Sequence, residues 1–242
     1  MGKSKAEKII DIAGKRGFFY PSAEIYGAKA GFWTYGHLGT ILKQKWENYW
    51  RNYFLNLHDN YFEIDDCNIL PEKVFKSSGH LDHFNDPLTQ CKKCGSRFRA
   101  DELIQETLNK EVEGLPEEKL TRIIKDKKIK CPTCQSNLST VKTFNMMFPL
   151  KVGALGEDTM YLRPESAQSP FLAFKRQFSA LREKFPLGLA VVGKAFRNEI
   201  SPRQGFFRLR EFTQAELQIF FNPDKIEEAE HFSKVKNYKL RI

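Results

Sequence analysis

No G-x-x-x-x-G-K-[ST] phosphate loop occurs in the 242 residues, so the common glycine-loop route to a bound nucleotide is excluded. Met1 to Lys15 is charged and lacks the apolar run of a secretory signal. No window approaches the roughly 20 apolar residues of a membrane span. These absences lead to the expectation of a cytoplasmic, reducing setting and no membrane partner. Cysteine is sparse: there are five, four of them in two C-x-x-C pairs and Cys67 alone. In a reducing compartment such pairs read as metal ligands rather than disulfides, and Cys67 as a small buried hydrophobe. Acidic residues are outnumbered, 30 Asp and Glu against 39 Lys and Arg, for a net charge of +9. A polyanionic partner fits that balance, and so does an ordinary basic surface. A hydrophobic fraction of 41% and 21 phenylalanines exclude a disordered chain and imply an aromatic core.

Read in order, Lys5 to Arg16 predicts an amphipathic helix stopped by Gly17, and Phe18 to Pro21 a short strand. Leu38, Leu42, Trp46, Tyr49, Tyr53 and Leu57 recur at helical spacing. Pattern alone favours packing of that stripe on the core; a subunit interface is the alternative, since aromatic anchors are enriched there. Phe62–Ile64 and Asn68–Pro71 suggest a strand pair or a strand with a turn, and the stretch from Ser77 to Pro87 a polar loop. His80 and His83 stand near Asp82 and Asp86 without tight ligand spacing, which favours loop polarity over a metal site. The segment from Cys91 to Cys134 reads as an insertion, with a charge-dense helical stretch from Asp101 to Lys130. The last twenty residues read as helical.

Cys91, Cys94, Cys131 and Cys134 can close a tetrahedral Zn²⁺ shell. Their long separation leaves reduced, unmetallated cysteines or redox chemistry as alternatives. Downstream, Leu189 to Glu199 reads as a buried strand carrying Arg197 and Glu199 on one face at its end. Ser201–Gly205 is a turn cluster. A return strand puts Thr213, Ala215, Leu217 and Ile219 on a core face, and Phe212, Gln214, Glu216 and Gln218 on a polar one. Arginine forks grip phosphate and carboxylates grip ammonium groups and Mg²⁺, so this hairpin can hold a triphosphate beside an amino acid. A merely solvated hairpin face is the plain alternative. Leu162-Arg163-Pro164-Glu165 adds an arginine and a carboxylate just before a helix running from Ser166 to Phe178.

These motifs together resemble class II aminoacyl-tRNA synthetases, and among them the homodimeric glycyl-tRNA synthetases. Tyr35-Gly36-His37-Leu38-Gly39 with its helix is similar to motif 1, the dimer helix of the family. Phe196–Glu199 with Phe207–Glu216 is similar to motif 2. Leu162–Gln168 resembles the glycine enzymes' L-R-P-E-T-A-Q segment, and Phe98–Asp101 their F-R-A-D segment. Departures are His37 for a usual proline, Ser166 for threonine, and Ser169-Pro170 where glycine and an apolar residue are usual. Motif 3 and an anticodon-binding domain are not found before Ile242.

The resemblance implies an α+β fold: a mostly antiparallel, class II synthetase-like sheet flanked by helices, with a zinc-binding insertion and without the C-terminal part of the catalytic domain. It implies catalytic parts at 1–90 and 138–242 around an insertion at 91–137. It implies activation of glycine by ATP with Mg²⁺, then transfer of the glycyl group to tRNA(Gly). Arg197 and Glu199 would be catalytic. Asn198, Phe207, Arg208, Leu209, Arg210, Glu211 and Phe212 would join them around ATP. Arg99, Glu165, Thr213, Gln214, Ala215 and Glu216, with Phe212, would surround glycine. Other expectations are a non-catalytic dimerisation or RNA-binding module, or half of a split enzyme completed by a second polypeptide carrying motif 3.

Overall fold

The computed structural model describes residues 4–202, 205–228 and 232–239. The chain opens with helix α1 (Lys5–Lys15), strands β1 (Phe19–Pro21) and β2 (Trp33–Tyr35), helix α2 (His37–Leu55), and strands β3 (Tyr61–Glu63) and β4 (Ile69–Pro71). Short helices α3 (Glu72–Ser77) and α4 (His80–His83) follow, then β5 (Asn85–Gln90), β6 (Arg97–Arg99), α5 (Ala100–Leu108) and α6 (Glu117–Asp126). The remainder comprises β7 (Lys142–Asn145), β8 (Phe148–Val152), β9 (Asp158–Leu162), α7 (Gln168–Ala180), β10 (Leu187–Phe196), β11 (Glu211–Phe220) and α8 (Phe232–Val235). The α+β class is as expected. Strand pairs are antiparallel in β1–β2, β4–β9–β8 and β6–β5–β7, whereas β3 runs parallel to β10.

Two compact units emerge. The first holds Met1–Leu42, Cys67–Glu165 and Lys194–Thr213. Helix α1 starts where sequence chemistry says it should: the Ser4 hydroxyl accepts from the Glu7 amide and the Glu7 carboxylate returns the bond, a capping box. At the start of α2 a side chain on Gly39 would collide with the carbonyl of Phe18, so only glycine lets the helix seat against the β1 segment. Residues 91–141 gather a core cluster, with Leu103 and Ile104 of α5 against Leu120 and Ile124 of α6, joined by Val112, Ile129, Leu138 and Val141. A smaller cluster places Phe75 between Leu70 and Met147. Arg163 is also buried; its Nε donates to the Lys194 carbonyl at 2.7 Å, making it a strut between chain segments rather than a ligand group.

The second unit holds Lys43–Asp66, Ser166–Gly193 and Gln214–Ile242. Phe174 lies 4.5 Å from Phe220 and 5.4 Å from Phe178, which is itself 4.5 Å from Phe185. These rings supply the aromatic core that the phenylalanine content implies. The Asn60 amide donates to the carbonyls of Lys184 and Pro186, fixing the start of the parallel β3–β10 pair.

Several expectations need correcting. The two strands around residue 65 do not pair with each other: β3 joins β10 and β4 joins β9, because each finds its partner about a hundred residues away. The expected polar loop at Ser77–Pro87 is largely α4 and the start of β5. The single helical stretch of the insertion is two helices, broken where Asn109 and Gly114 take left-handed backbone and Pro116 precedes α6. Cys67 is exposed, not buried. Helix α7 begins at Gln168, two residues later than read. Of the turn at Ser201–Gly205, Arg203 and Gln204 lie outside the described residues, as do parts of the C-terminal twenty. The aromatic stripe of α2 is not in the core, since Leu42, Trp46, Tyr49, Tyr53 and Leu57 are exposed. The inward stripe is Gly39, Lys43, Glu47, Trp50 and Phe54, one position over. Its charges are matched, Lys43 being paired to Glu47, and the adjoining Arg51 pairs with Glu63.

Candidate active site and metal centre

The arginine-rich segment is a loop and not a strand end. Strand β10 stops at Phe196, and the Glu199 amide turns back to the Arg197 carbonyl at 2.8 Å, so the two side chains do not share a strand face. The loop is pinned by backbone bonds from Arg197 to the Arg210 carbonyl (3.0 Å) and from Asn198 to the Met146 carbonyl (2.8 Å). Arg197 points between two rings, 5.5 Å from the centroid of Phe84 and 5.2 Å from that of Phe212. Its Nε donates to the Pro164 carbonyl at 3.0 Å. Among the described residues its terminal nitrogens have no protein acceptor. A guanidinium held by two aromatic faces and one carbonyl keeps a fixed direction and leaves its outer edge for a ligand anion.

Arg208 and Arg210 are engaged differently. Arg210 donates to the carbonyls of Ala30 (2.7 Å) and Glu199 (2.6 Å), and burial draws its pKa down. Arg208 lies between two carboxylates: Nε to Glu199 at 2.8 Å and Nη1 to Glu102 at 2.9 Å. Burial acts to lower its pKa, but the Glu102 hydrogen bond and the charge of Glu199 outweigh it and the net shift is upward. Glu102 also lies 3.5 Å from Arg99, which is clamped by Asp101 at 2.6 Å and faces the buried Asp86 at 3.4 Å. The expected glycine-side residue Arg99 thus sits in a five-member ionic chain with Asp101, Glu102, Arg208 and Glu199. Sequence reading missed Glu102; its place right after the F-R-A-D segment was the available signal.

Other expected site residues are placed as follows. Phe207 is highly exposed, Leu209 half-buried, and Glu211 pairs with Lys194 at 2.8 Å. Glu165 Oε1 lies 3.3 Å from His80 Nε2, a neighbour 85 positions back that was read as loop polarity. In the second unit, Gln214 accepts the Ser166 backbone N–H at 3.0 Å. Along β11, Ala215 and Ile219 are exposed while Phe212, Gln214, Glu216 and Gln218 are half-buried. The supposed core face of β11 is therefore the more open one. Thr213 is half-buried in the first unit.

The four cysteines converge. Their sulfurs all lie within 4.8 Å of one another, with Cys91–Cys134 at 3.4 Å and Cys94–Cys131 at 3.6 Å. A tetrahedral shell with metal–sulfur bonds of about 2.3 Å has edges of roughly 3.8 Å, so the set fits a metal ion. The two knuckles are built alike. Cys91 N–H donates to the Ser96 carbonyl and Cys131 N–H to that of Ser136, while Gly95 and Gln135 turn through left-handed backbone. Amides of Lys93 and Cys94 point at the Cys91 sulfur. Ser96, through its side chain and backbone, draws the Cys94 thiol down to about 6, and the Ser136 backbone lowers that of Cys134. The Cys91 thiol goes the other way, up to about 11, because the pull of the Cys94 amide is outweighed by burial and by hydrogen bonds shared with Cys134 and Cys94; bound to a cation, all four would be thiolates.

The family model described as tRNA synthetase class II core domain (G, H, P, S and T) matches residues 150–238. Glycine–tRNA ligases are 51% identical over 98% of the chain in Thermococcus gammatolerans, 50% over 98% in Pyrococcus abyssi, and 46% over 100% in Aeropyrum pernix. Over nearly its whole length the chain is similar to glycine–tRNA ligases, and residues 150–238 match the class II core domain. It spans about 41% of the length of the first two of these relatives. The fold is shared with a crystal structure described as the RNA binding domain of threonyl-tRNA synthetase from Cryptosporidium parvum Iowa II. That likeness has a TM-score of 0.55 at 19% identity and covers 93% of this chain and 39% of that one. Among the described residues no helix is long and apolar enough to cross a membrane.

Proposed function

We propose that this chain supplies the motif 1 and motif 2 parts of a glycine–tRNA ligase, activating glycine with ATP and passing the glycyl group to tRNA(Gly). The observation that carries the reading is Arg197, set between Phe84 and Phe212 with its outer edge open. That group suits an α-phosphate whose negative charge grows in an in-line displacement. Phe212 is the ring for adenine, with Glu199 orienting Arg208 and the surrounding residues Asn198, Phe207, Leu209, Arg210 and Glu211 completing the ATP side. Glu165 and Glu216 are the carboxylates for the glycine ammonium, and Arg99, Thr213, Gln214 and Ala215 belong to the same set. ATP would arrive with Mg²⁺, which bridges phosphate oxygens and screens their charge. The cysteine centre takes Zn²⁺ in a structural role, all four thiolates filling its shell.

The outward aromatic stripe of α2 serves a homodimer, and the setting is cytoplasmic. The division is catalytic at 1–90 and 138–242, with the metal insertion at 91–137. Since the chain spans 41% of its relatives' length, a second polypeptide carrying the remaining part is one arrangement for the active form. The exposed aromatic stripe of α2 and the net charge of +9 favour a second reading, a synthetase-like dimerisation and RNA-binding module without catalysis.

Glycine-dependent ATP–pyrophosphate exchange separates the two. It is measured on the chain alone and on the chain joined to the part of a relative that it does not span. Exchange in either preparation supports the ligase; its absence in both, with the fold intact, removes it.

A further inference from the structure

We infer that Glu102 is a positioning residue for the adenylation site, acting through Arg208. This rests on the ligase reading above. Glu102 belongs to α5, in the metal-bearing insertion, and is more than a hundred positions from the arginine it holds. Arg208 is gripped on two different edges of its guanidinium, Nε by Glu199 and Nη1 by Glu102. Neither grip takes Nη2, and among the described residues that nitrogen has no protein acceptor. The arrangement fixes the plane of the guanidinium while leaving one N–H-bearing nitrogen for an anionic ligand.

The geometry around Glu102 shows why a carboxylate is needed there. Its Oε1 serves two cations at once, Arg208 at 2.9 Å and Arg99 at 3.5 Å. Arg99 is itself tied to Asp101 and Asp86, so Glu102 cannot follow Arg208 freely. The Ser201 hydroxyl adds a second tether, donating to the Arg97 carbonyl at 2.7 Å. The loop is thereby indexed to the insertion at two points, one ionic and one neutral. Side chains of Glu102 and Arg208 retain 44% and 20% exposure, so the pair contributes little to folding stability. Its effect is on direction. An arginine free to swing between rotamers must be ordered when ATP binds, whereas a clamped one is ordered beforehand.

Glu102→Gln keeps the shape and removes the charge. In whichever preparation gives exchange, the expected result is a rise of about fivefold in KM for ATP, with KM for glycine and the melting temperature unchanged. The decisive measurement is a double-mutant cycle with Arg208→Gln. If Glu102 acts through Arg208, its substitution has no further effect once Arg208 is gone. A Glu102→Gln enzyme with wild-type kinetics overturns the inference while leaving the ligase reading in place, as does an undiminished Glu102 effect in the Arg208→Gln background. A wild-type protein without glycine-dependent exchange in either preparation removes the ligase reading and this inference with it.

Discussion

Replacing Trp46 by alanine tests the α2 stripe most directly. Trp46 is 68% exposed and Tyr49 64%, while Leu42, Tyr53 and Leu57 stand between 57% and 59%. A tryptophan presents at most about 250 Å², so roughly 170 Å² of Trp46 awaits cover, or about 4 kcal/mol if all of it were removed from water. Truncation of an interface tryptophan realises less than this, about 2 kcal/mol, because neighbours relax and partial cover remains. In a two-fold symmetric dimer the substitution occurs twice, giving about 4 kcal/mol and a roughly thousandfold weaker dissociation constant. The folded monomer should barely notice, since Trp46 contributes little to the core and surface changes stay within about 0.5 kcal/mol. Sedimentation across a concentration series reads the association, and far-ultraviolet circular dichroism with a thermal melt reads the fold. A wild-type chain monomeric at every concentration refutes the interface, and so does a Trp46→Ala chain that associates as tightly as wild type.

Elemental analysis should find about one zinc per chain, and Cys131→Ser should abolish it, because three thiolates leave the tetrahedral shell open. A folded, metal-free wild-type protein refutes the centre. Zinc should also be released on acidification. The bound ion holds its thiolates deprotonated below their metal-free range, so zinc should stay at about one per chain near neutrality and be lost only in strong acid, where protons outcompete it. Metal retained in strong acid contradicts a thiolate shell. Arg197→Ala should cut glycine-dependent exchange by about a hundredfold or more with an unchanged melting temperature, since the side chain's outer edge faces a ligand and not the core; near-normal exchange removes its phosphate role. Ile104→Ala, at a fully buried site in the insertion, should cost about 2–4 kcal/mol in chemical denaturation and leave metal stoichiometry intact. A loss below 1 kcal/mol would mean that the insertion core is not a stability unit.

What the sequence made legible was whatever is encoded within a few residues. Gly17 ends α1, four-residue steps delimit α2, and two-residue cysteine spacing announces both knuckles. What escaped it depends on partners far along the chain. Nothing near residue 62 says that β3 will lie parallel to β10, or near residue 80 that His80 will meet Glu165. The α2 error has a different cause. Two stripes one position apart both satisfy helical periodicity, and hydrophobicity chose the aromatic one. The fold instead turns inward the stripe holding Lys43 and Glu47, which neutralise each other, with the Trp50 ring tilted against Phe54 at 4.8 Å. Matched charges inward and five bare apolar side chains outward make an inverted helix for a lone chain. The homodimer proposed above would account for that inversion, one helix face holding its own fold and the other meeting a second copy. Periodicity reports that a helix is amphipathic, but not which of its faces is internal. The arginine loop fails the strand reading for a related reason. Alternation predicts orientation only while a ladder continues, and the ladder ends at Phe196. There the directions of Arg197, Arg208 and Arg210 pass to carbonyls, rings and a carboxylate supplied by the insertion.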